Sequence, residues 1–234
     1  MKRVPMPLIA LNDVSLEVPD SIAKPGLLKG LSAGTYEEDE ANAARARIKP
    51  GMRVLELGAG LGYVSTVCAR LAGAENVISV EANPIMVPIL KANLARNGQG
   101  AVEVLHGAIV PDADPSDGEG MLFHASPAFL GGRLATEDSA PTNLVDVPAI
   151  GLRALLRKHR PNVVMMDVEG AEAHLFDEPW NSQLRFLVLE LHPDRYAVRT
   201  IKTIVDCMSA TGLTYDPATS RGRVLGFRKV WDRD

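Results

Sequence analysis

The segment Val54–Gly62 (VLELGAGLG) constrains the fold of this chain more than any other. A short, mostly apolar strand runs into three alternate glycines, and a helical pattern begins at Tyr63. Gly58 allows a sharp turn, Gly60 lets a ligand approach the backbone, and Gly62 lets the next helix start close to the strand. The segment therefore predicts the nucleotide-binding corner of a parallel α/β sheet.

Further apolar runs alternate with helical patterns along the chain. Nearly continuous apolar runs are typical of parallel strands that are covered by helices on both faces. Strand–helix alternation implies right-handed crossovers and hence a doubly wound α/β sheet. We predict strands over Met52–Leu57, Val77–Val80, Val102–Leu105, Val163–Met166 and Phe186–Leu191, and helices over Tyr36–Ile48, Tyr63–Ala72, Pro84–Asn97, Leu152–His159 and Tyr196–Ala210.

The flanks of this pattern suggest the domain organisation. We expect an N-terminal extension over residues 1–33 and one domain over residues 34–234. Residues 108–148 are rich in proline and glycine and are predicted to be an insertion, with short strands at Met121–Ala125 and Leu144–Val147. An insertion of this size is more often functional than idle. The end of the chain is typical of a hairpin that turns around Ser220–Gly222.

Composition excludes several classes of protein. The formal net charge of −4 argues against nucleic-acid binding through a broad basic face, and the 5% of aromatic residues argues against a base-stacking platform. No apolar run approaches a membrane span, and no signal-peptide pattern is evident, so we expect a soluble, cytoplasmic protein. Cys68 and Cys207 lie in helical apolar patterns and are expected to be buried thiols. The sequence does not indicate an oligomeric state.

The spacing around the glycines discriminates between nucleotide ligands. Glu81 ends the second strand, where an acid accepts hydrogen bonds from the two hydroxyls of a ribose. A dinucleotide fingerprint, G-x-G-x-x-G, requires glycine at position 63, which is Tyr63 here. The observed pattern has Glu56 two residues before the first glycine, which suits S-adenosylmethionine, a ligand without phosphate. A nicotinamide-dependent oxidoreductase, a non-catalytic nucleotide-binding scaffold and a tight turn without a ligand remain alternatives.

Several motifs resemble those of class I S-adenosylmethionine-dependent methyltransferases. VLELGAGLGY and VISVEANP resemble the first glycine motif and the acidic strand that follows it. Gly34–Glu37 (GTYE), Met166–Glu172 (MDVEGAE) and Leu187–Pro193 (LVLELHP) resemble the FkbM family, whose members are typically O-methyltransferases of natural-product or sugar hydroxyls. The resemblance spans roughly residues 34–193. It implies a seven-stranded, mostly parallel sheet with an antiparallel last strand.

The resemblance also implies a set of cofactor contacts. Ala82 and Asn83 are expected along the adenine, with backbone contacts from Gly107 and Ala108 on its other side. Tyr36 and Glu37 are expected to close over the methionine end, although they are equally typical of the start of a charged surface helix. The full set of expected cofactor-binding residues is Tyr36, Glu37, Glu56, Gly58, Ala59, Gly60, Gly62, Glu81, Ala82, Asn83, Gly107, Ala108 and Asp167.

Acidic and imidazole side chains follow the fourth and fifth strands, at the sheet edge where ligands bind in this architecture. We predict Asp167, Glu169 and His192 to be catalytic, with His192 as the best candidate base because its unperturbed pKa lies near neutral pH. Structural ion pairs and ligation of a divalent cation are the alternative roles for these acids. Sequence spacing does not show convergence, so no metal site is assigned. The expected activity is O-methylation of a hydroxyl on a small molecule or sugar.

Overall fold

The computed structural model describes residues 8–112, 120–124, 133–134, 144–180 and 183–231. Its strands and helices alternate through most of the chain. In order they are β1 (Leu8–Leu11), β2 (Val14–Glu17), α1 (Pro25–Ala33), α2 (Glu38–Arg47), β3 (Val54–Leu57), α3 (Tyr63–Ala72), β4 (Val77–Glu81), α4 (Met86–Arg96), β5 (Glu103–His106), β6 (Ala108–Val110), β7 (Gly120–His124), β8 (Arg133–Leu134), β9 (Leu144–Gly151), α5 (Leu152–His159), β10 (Val163–Met166), β11 (Phe186–Glu190), α6 (Val198–Ala210), β12 (Leu213–Tyr215) and β13 (Val224–Lys229).

The central sheet has seven strands in the order β12-β13-β11-β10-β3-β4-β5. The pairs from β11 to β5 are parallel, whereas β13 is antiparallel to both β11 and β12. The predicted doubly wound, mostly parallel seven-stranded sheet with an antiparallel last strand is therefore confirmed. The order reverses at β3, because the chain passes from β5 back across the sheet to β10.

Helices bury both faces of this sheet, as the continuous apolar strands require. All four residues of β3 and all four of β10 are buried. One face packs with α2, α3 and α4 into a core that includes Cys68, and the other packs with α5 and α6 into a core that includes Cys207. Both cysteines are free, buried thiols, as predicted. None of the described helices is long and apolar enough to cross a membrane.

The two flanks add smaller layers to the sheet. The β1–β2 hairpin and α1 contribute Leu11, Leu16 and Leu27 to the core on the α3 and α4 side. The expected insertion contains a four-stranded sheet in the order β6-β9-β7-β8, and both short strands predicted there are present as β7 and β9. β6 follows directly after β5, so this second sheet begins at the edge where the parallel strands end.

Three helices begin later than their sequence patterns predict. α4 begins at Met86 rather than Pro84, because the Oδ1 atom of Asn83 accepts a hydrogen bond from the Ile85 amide at 3.0 Å and closes a turn first. α2 begins after Glu37, whose left-handed backbone (φ 47°) cannot continue a helix. α6 begins at Val198, and the Tyr196 side chain that precedes it turns towards Glu172.

An ion pair between half-buried Arg47 and buried Asp216 joins α2 to the β12–β13 hairpin. The Arg47 guanidinium donates to both carboxylate oxygens of Asp216 at 2.6 Å, and the Asp216 side chain is 1% exposed. Thr219 donates a further hydrogen bond to this carboxylate. Burial raises the pKa of Asp216, but the hydrogen bonds from Arg47 and Thr219 outweigh it and leave that pKa below its ordinary value.

Replacing Asp216 by asparagine is expected to lower the free energy of unfolding at pH 7 by about 2–3 kcal/mol, because the buried position loses its charge-assisted hydrogen bonds to the half-buried Arg47 guanidinium. A lowered carboxyl pKa stabilises the fold above the unfolded pKa of about 3.9 and loses that effect as pH falls through the folded pKa. The difference between wild type and Asp216→Asn in urea titrations should therefore shrink below about pH 4. Asp206→Asn, which breaks the exposed pair with Lys202, is the control and should cost less than about 0.5 kcal/mol. An equally small loss for Asp216→Asn would contradict this account.

Candidate active site

The carboxyl ends of β3, β4, β10 and β11 meet at one edge of the central sheet. The loops that follow them are tied together by backbone hydrogen bonds: the Gly58 amide donates to Val80, and the Asp167 amide donates to Leu57. In open α/β sheets, ligands bind at this edge, next to the point where the strand order reverses. The predicted site residues after these strands therefore lie in the region where the fold itself favours binding.

The glycine loop after β3 adopts backbone conformations that other residues rarely take. Gly58, Gly60 and Gly62 have φ angles of 87°, 51° and 83°. A Cβ atom on Gly58 would lie 1.7 Å from the carbonyl oxygen of Asp167, and one on Gly62 would lie 2.6 Å from Leu90 Cδ1. The loop is thus packed against the β10 loop on one side and α4 on the other. The positive φ favours glycine at all three positions, and at Gly58 the Asp167 backbone also leaves no space for a Cβ atom.

Glu81 connects this loop to the end of β4. Its Oε2 atom accepts a hydrogen bond from the Gly60 amide at 2.8 Å, and Oε1 accepts one from the Asn83 amide at 2.7 Å. Burial raises the pKa of Glu81, although the hydrogen bonds from Asn83 and Gly60 work against that rise. The carboxylate is therefore held in one orientation, with its remaining acceptor capacity available to a ligand.

A cavity of about 760 Å³ opens between the glycine loop, β4 and the β10 loop, and we call it the glycine-loop cavity. Its wall contains ten of the predicted contacts and several residues that the sequence did not single out, including Met86 and Ile109. The cavity is lined by Tyr36, Glu37, Gly58, Gly60, Val80, Glu81, Ala82, Asn83, Met86, Gly107, Ala108, Ile109, Asp167, Val168, Glu169 and Ala171. Its size is typical of sites for small molecules and cofactors.

Three of the predicted contacts do not line this cavity. Glu56 lies beneath the glycine loop, where its carboxylate accepts hydrogen bonds from the hydroxyls of Ser65 and Ser79. Burial raises the pKa of Glu56 to about 7. Ala59 is buried, and Gly62 packs against α4. The structure therefore places Glu56, Ala59 and Gly62 on the side of the loop that faces away from the cavity, where they pack against the rest of the protein.

A second, more open cavity of about 1740 Å³ adjoins the first, and we call it the acidic cleft. Tyr36, Glu37, Asp167 and Glu169 line both cavities, so the two are continuous. Further carboxylates in the acidic cleft come from the start of α2 and from the end of β11. These are Glu38, Asp39, Glu40 and Glu190.

The structure brings the three predicted catalytic residues together in the acidic cleft. His192 Nε2 lies 3.6 Å from Asp167 Oδ1 and 3.6 Å from Glu169 Oε2. Burial and the neighbouring Glu169 and Glu190 carboxylates hold the pKa of Asp167 well above its ordinary value, against the opposing effect of His192. Burial also raises the pKa of Glu169. His192 lines the acidic cleft and not the glycine-loop cavity.

A hydrogen-bonded network behind His192 fixes its ring. His192 Nδ1 lies 2.8 Å from Glu172 Oε1, and the Tyr196 hydroxyl donates to that same oxygen at 2.8 Å. The His192 amide donates to the Tyr196 hydroxyl at 2.7 Å. Burial would lower the pKa of His192, but hydrogen bonding to Glu172 and the nearby carboxylates raise it. The sequence did not indicate the Glu172–His192 contact, because the two residues are separated by 20 positions and by β11.

Backbone strain is concentrated at the junction of the two cavities. Glu37 and Glu169 have φ angles of 47° and 53°, a region that non-glycine residues seldom occupy. Such conformations cost about 1–3 kcal/mol each and persist where the surrounding structure imposes them, commonly at functional sites. Both side chains line both cavities. The surrounding structure therefore keeps these two carboxylates in strained conformations where the two cavities meet.

The residues of the glycine-loop cavity fit a nucleoside with a cationic substituent. The Glu81 carboxylate can accept hydrogen bonds from ribose hydroxyls. Met86, Ala108 and Ile109 provide apolar surface for a purine ring. The carboxyl groups of Glu37 and Asp167 lie at the junction with the acidic cleft, and they favour a positively charged group there. No part of this arrangement requires a phosphate group.

Comparison with known proteins gives one family match. Residues 41–110 match the family model of protein-L-isoaspartate(D-aspartate) O-methyltransferases. The chain is 43% identical over 61 residues to protein-L-isoaspartate O-methyltransferase from Methanococcoides burtonii and 34% identical over 125 residues to that from Methanoregula boonei. These alignments cover 26% and 52% of this chain, and 30% and 52% of the relatives. The chain thus spans about half the length of these relatives or less.

Comparison with solved structures gives matches to methyltransferases at low sequence identity. Precorrin-6y C5,15-methyltransferase from Geobacter metallireducens is 13% identical, with a TM-score of 0.47 over 83% of this chain and 87% of that one. TYW2 from M. jannaschii, in complex with AdoMet, is 14% identical, with a TM-score of 0.43 over 93% of this chain and 82% of that one. Likenesses at this level carry no argument about the acceptor.

Proposed function

We propose that this chain, a methyltransferase with S-adenosylmethionine as its cofactor, transfers the methyl group to a hydroxyl oxygen of a small molecule or sugar. The observation that carries this proposal is the continuity of the two cavities. The glycine-loop cavity suits the cofactor, and it opens through Asp167 and Glu169 onto a cleft lined by carboxylates and an imidazole. An acceptor in the cleft would meet the cofactor at that junction.

The cofactor would be held by groups that already converge on the glycine-loop cavity. Glu81 would accept the ribose hydroxyls, while Met86 and Ile109 would contact the adenine. Glu37 and Asp167 would lie beside the positively charged methionine end. When bound, S-adenosylmethionine supplies a methyl group already activated by the sulfonium, so the protein mainly has to hold the two reactants in line.

The transfer itself is a displacement at carbon. A lone pair on the acceptor oxygen forms the new O–CH₃ bond while the S–CH₃ bond breaks and its electrons pass to sulfur, which leaves S-adenosylhomocysteine. The hydroxyl proton must be removed, and activation of the hydroxyl is assigned to Asp167, Glu169 and His192 as a group. These residues lie at or next to the junction of the two cavities.

The charges of the acidic cleft favour a neutral hydroxyl over a carboxylate as the acceptor. The three arginines that line the described part of the cleft are already paired: Arg195 with Glu169, Arg221 with Asp39 and Arg223 with Asp194. Among the described side chains of the cleft, an incoming carboxylate would therefore meet Asp167, Glu169 and Glu190 without an unpaired arginine to compensate. A neutral acceptor avoids this repulsion, and its hydroxyl hydrogen can bond to a carboxylate.

The family match is compatible with this choice of acceptor. It covers residues 41–110, from α2 to β6, which contain the glycine loop and Glu81. The residues that follow β10 and β11 lie outside it. We propose that the chain is related to the FkbM family, because Gly34–Glu37, Met166–Glu172 and Leu187–Pro193 carry that resemblance and surround the acidic cleft.

The test uses S-adenosylmethionine with an isotopically labelled methyl group. The protein is incubated in parallel with a mixture of sugars and hydroxylated metabolites and with an isoaspartyl peptide, and products are identified by mass spectrometry. The proposal expects label in a methyl ether, which survives mild base. Label found only in a base-labile methyl ester on the peptide would show that the acceptor is a carboxyl group and would overturn the choice of hydroxyl.

A charge-removing change at Glu81 tests the cofactor assignment. Glu81→Ala is expected to weaken S-adenosylmethionine binding by at least about tenfold, because hydrogen bonds to a charged acceptor are worth about 1.5–3 kcal/mol each. Calorimetric titration measures the affinity, and Glu75→Ala, at an exposed acid just before β4, is the control. Unchanged affinity in a folded Glu81→Ala protein would remove Glu81 from the binding site.

A further inference from the structure

Three ligand atoms converge in the acidic cleft at the ends of β10 and β11. They belong to Asp167, Glu190 and His192, one from each side chain, and all lie within 4.8 Å of one another. The residues come from two neighbouring parallel strands, so the sheet itself holds them in register. An ion with ligands at about 2.1–2.4 Å keeps those ligands about 3–4.8 Å apart. The spacing of the three atoms therefore matches a shared ion.

One atom in this cluster lacks the hydrogen bond that a buried polar group normally makes. Asp167 Oδ1 is buried and has no hydrogen-bond partner among the described residues. The carboxylate of half-buried Glu190 makes neither a hydrogen bond nor an ion pair with any described residue. The His192 side chain is only 8% exposed, yet the carboxylate oxygens nearest to Nε2 are 3.6 Å away, too far for a hydrogen bond.

The orientation of His192 adds an independent observation. Its Nδ1 atom is bonded to Glu172, a carboxylate whose side chain is 0% exposed, which leaves Nε2 directed at the cluster. With the ring proton on Nδ1, the lone pair of Nε2 faces the oxygens of Asp167 and Glu169. A bound cation would stabilise this arrangement of lone pairs. A carboxylate that orients the far nitrogen of a histidine is also the usual support of a metal-bound imidazole.

We propose that Asp167, Glu190 and His192 bind a divalent cation. Two carboxylates and one imidazole form a mixed oxygen and nitrogen ligand set, which suits Mn²⁺ or a similar first-row ion. The inference rests on the proposed function for its role: a cation here would lie beside the junction of the two cavities and would lower the pKa of a hydroxyl that approaches it. The proton released by that hydroxyl would pass to solvent in the open cleft.

The test measures binding of Mn²⁺ alone, without cofactor or acceptor, by electron paramagnetic resonance of the free ion. The proposal expects one ion per chain in the wild type and at least about tenfold weaker binding in Glu190→Gln, a nearly isosteric change. Asp194→Asn, which alters a carboxylate paired with Arg223 near the same cleft, should bind the ion within twofold of wild type. Thermal unfolding of each variant confirms that it is folded.

Two results would overturn the cation site. One is the absence of saturable Mn²⁺ binding to the wild type up to about 1 mM, and the other is equal binding by wild type and Glu190→Gln. A second measurement follows methyl transfer, which should disappear on chelation and return with Mn²⁺. Ion binding that depends on Glu190 without methyl transfer to any hydroxyl would refute the proposed function alone. Methyl transfer that is insensitive to chelation, in a protein whose Mn²⁺ binding depends on Glu190, would refute the role of the cation in the reaction alone.

Discussion

His192→Ala is expected to lower the rate of methyl transfer by about 10²–10⁴-fold while leaving the affinity for S-adenosylmethionine nearly unchanged. The imidazole belongs to the group assigned to activate the acceptor hydroxyl, and Nε2 lies 3.6 Å from both Asp167 and Glu169. Cofactor affinity should be preserved because His192 does not line the glycine-loop cavity. Single-turnover rates measure the chemical step separately from binding.

The matched control for this change is His174→Ala, at an exposed histidine close in sequence to the same loop. It should retain the wild-type rate, since its side chain is not part of either cavity. A rate for His192→Ala within about threefold of wild type, in a folded protein with normal cofactor affinity, would exclude His192 from catalysis. The Glu172–His192 contact would then have a structural role and no catalytic one.

Gly60→Val is expected to weaken cofactor binding by at least about 100-fold, or about 2.7 kcal/mol. Gly60 has a φ of 51°, and its amide donates to Glu81 at 2.8 Å. A β-branched residue resists this φ and would place its side chain in the cavity that Gly60 lines. The added strain should cost about 1–3 kcal/mol of stability, so the variant should remain folded at low temperature.

Titration with S-adenosylhomocysteine measures the effect of Gly60→Val, with circular dichroism as the check on folding. Gly26→Val serves as the control, because a Cβ atom at this helical position meets nothing within 4 Å. The control should bind the ligand as wild type does. Normal binding by Gly60→Val would mean that the glycine loop does not contact the cofactor.

The fold and the position of the site could be predicted because both depend on short-range patterns. Continuous apolar strands such as Val163–Met166 are recognisable from composition alone, and alternation with helices fixes their parallel pairing. Glu81 and Asp167 could be placed at the ligand-binding edge because each ends or follows a strand. The spacing of the glycines also predicted the sharp turn of the loop that follows β3.

The contacts that refine the site depend on residues far apart in sequence, and the sequence does not encode their approach in any local pattern. Glu56 was expected to contact the cofactor, whereas it lies beneath the loop because Ser65 and Ser79 donate to its carboxylate. Met86 and Ile109 are ordinary apolar residues in sequence and become cavity walls only once α4 and β6 are placed. Glu172 and His192 are likewise distant in sequence, and only the fold brings their side chains into contact.

The measurement that tests the central claim most directly is a pair of calorimetric titrations of the wild-type protein, one with S-adenosylmethionine and one with NADH. We predict one S-adenosylmethionine site per chain, lost in Gly60→Val, and no binding of NADH, because Tyr63 stands where a dinucleotide fingerprint has its third glycine. Saturable binding of NADH with none of S-adenosylmethionine would contradict the account and identify a nicotinamide-dependent protein instead.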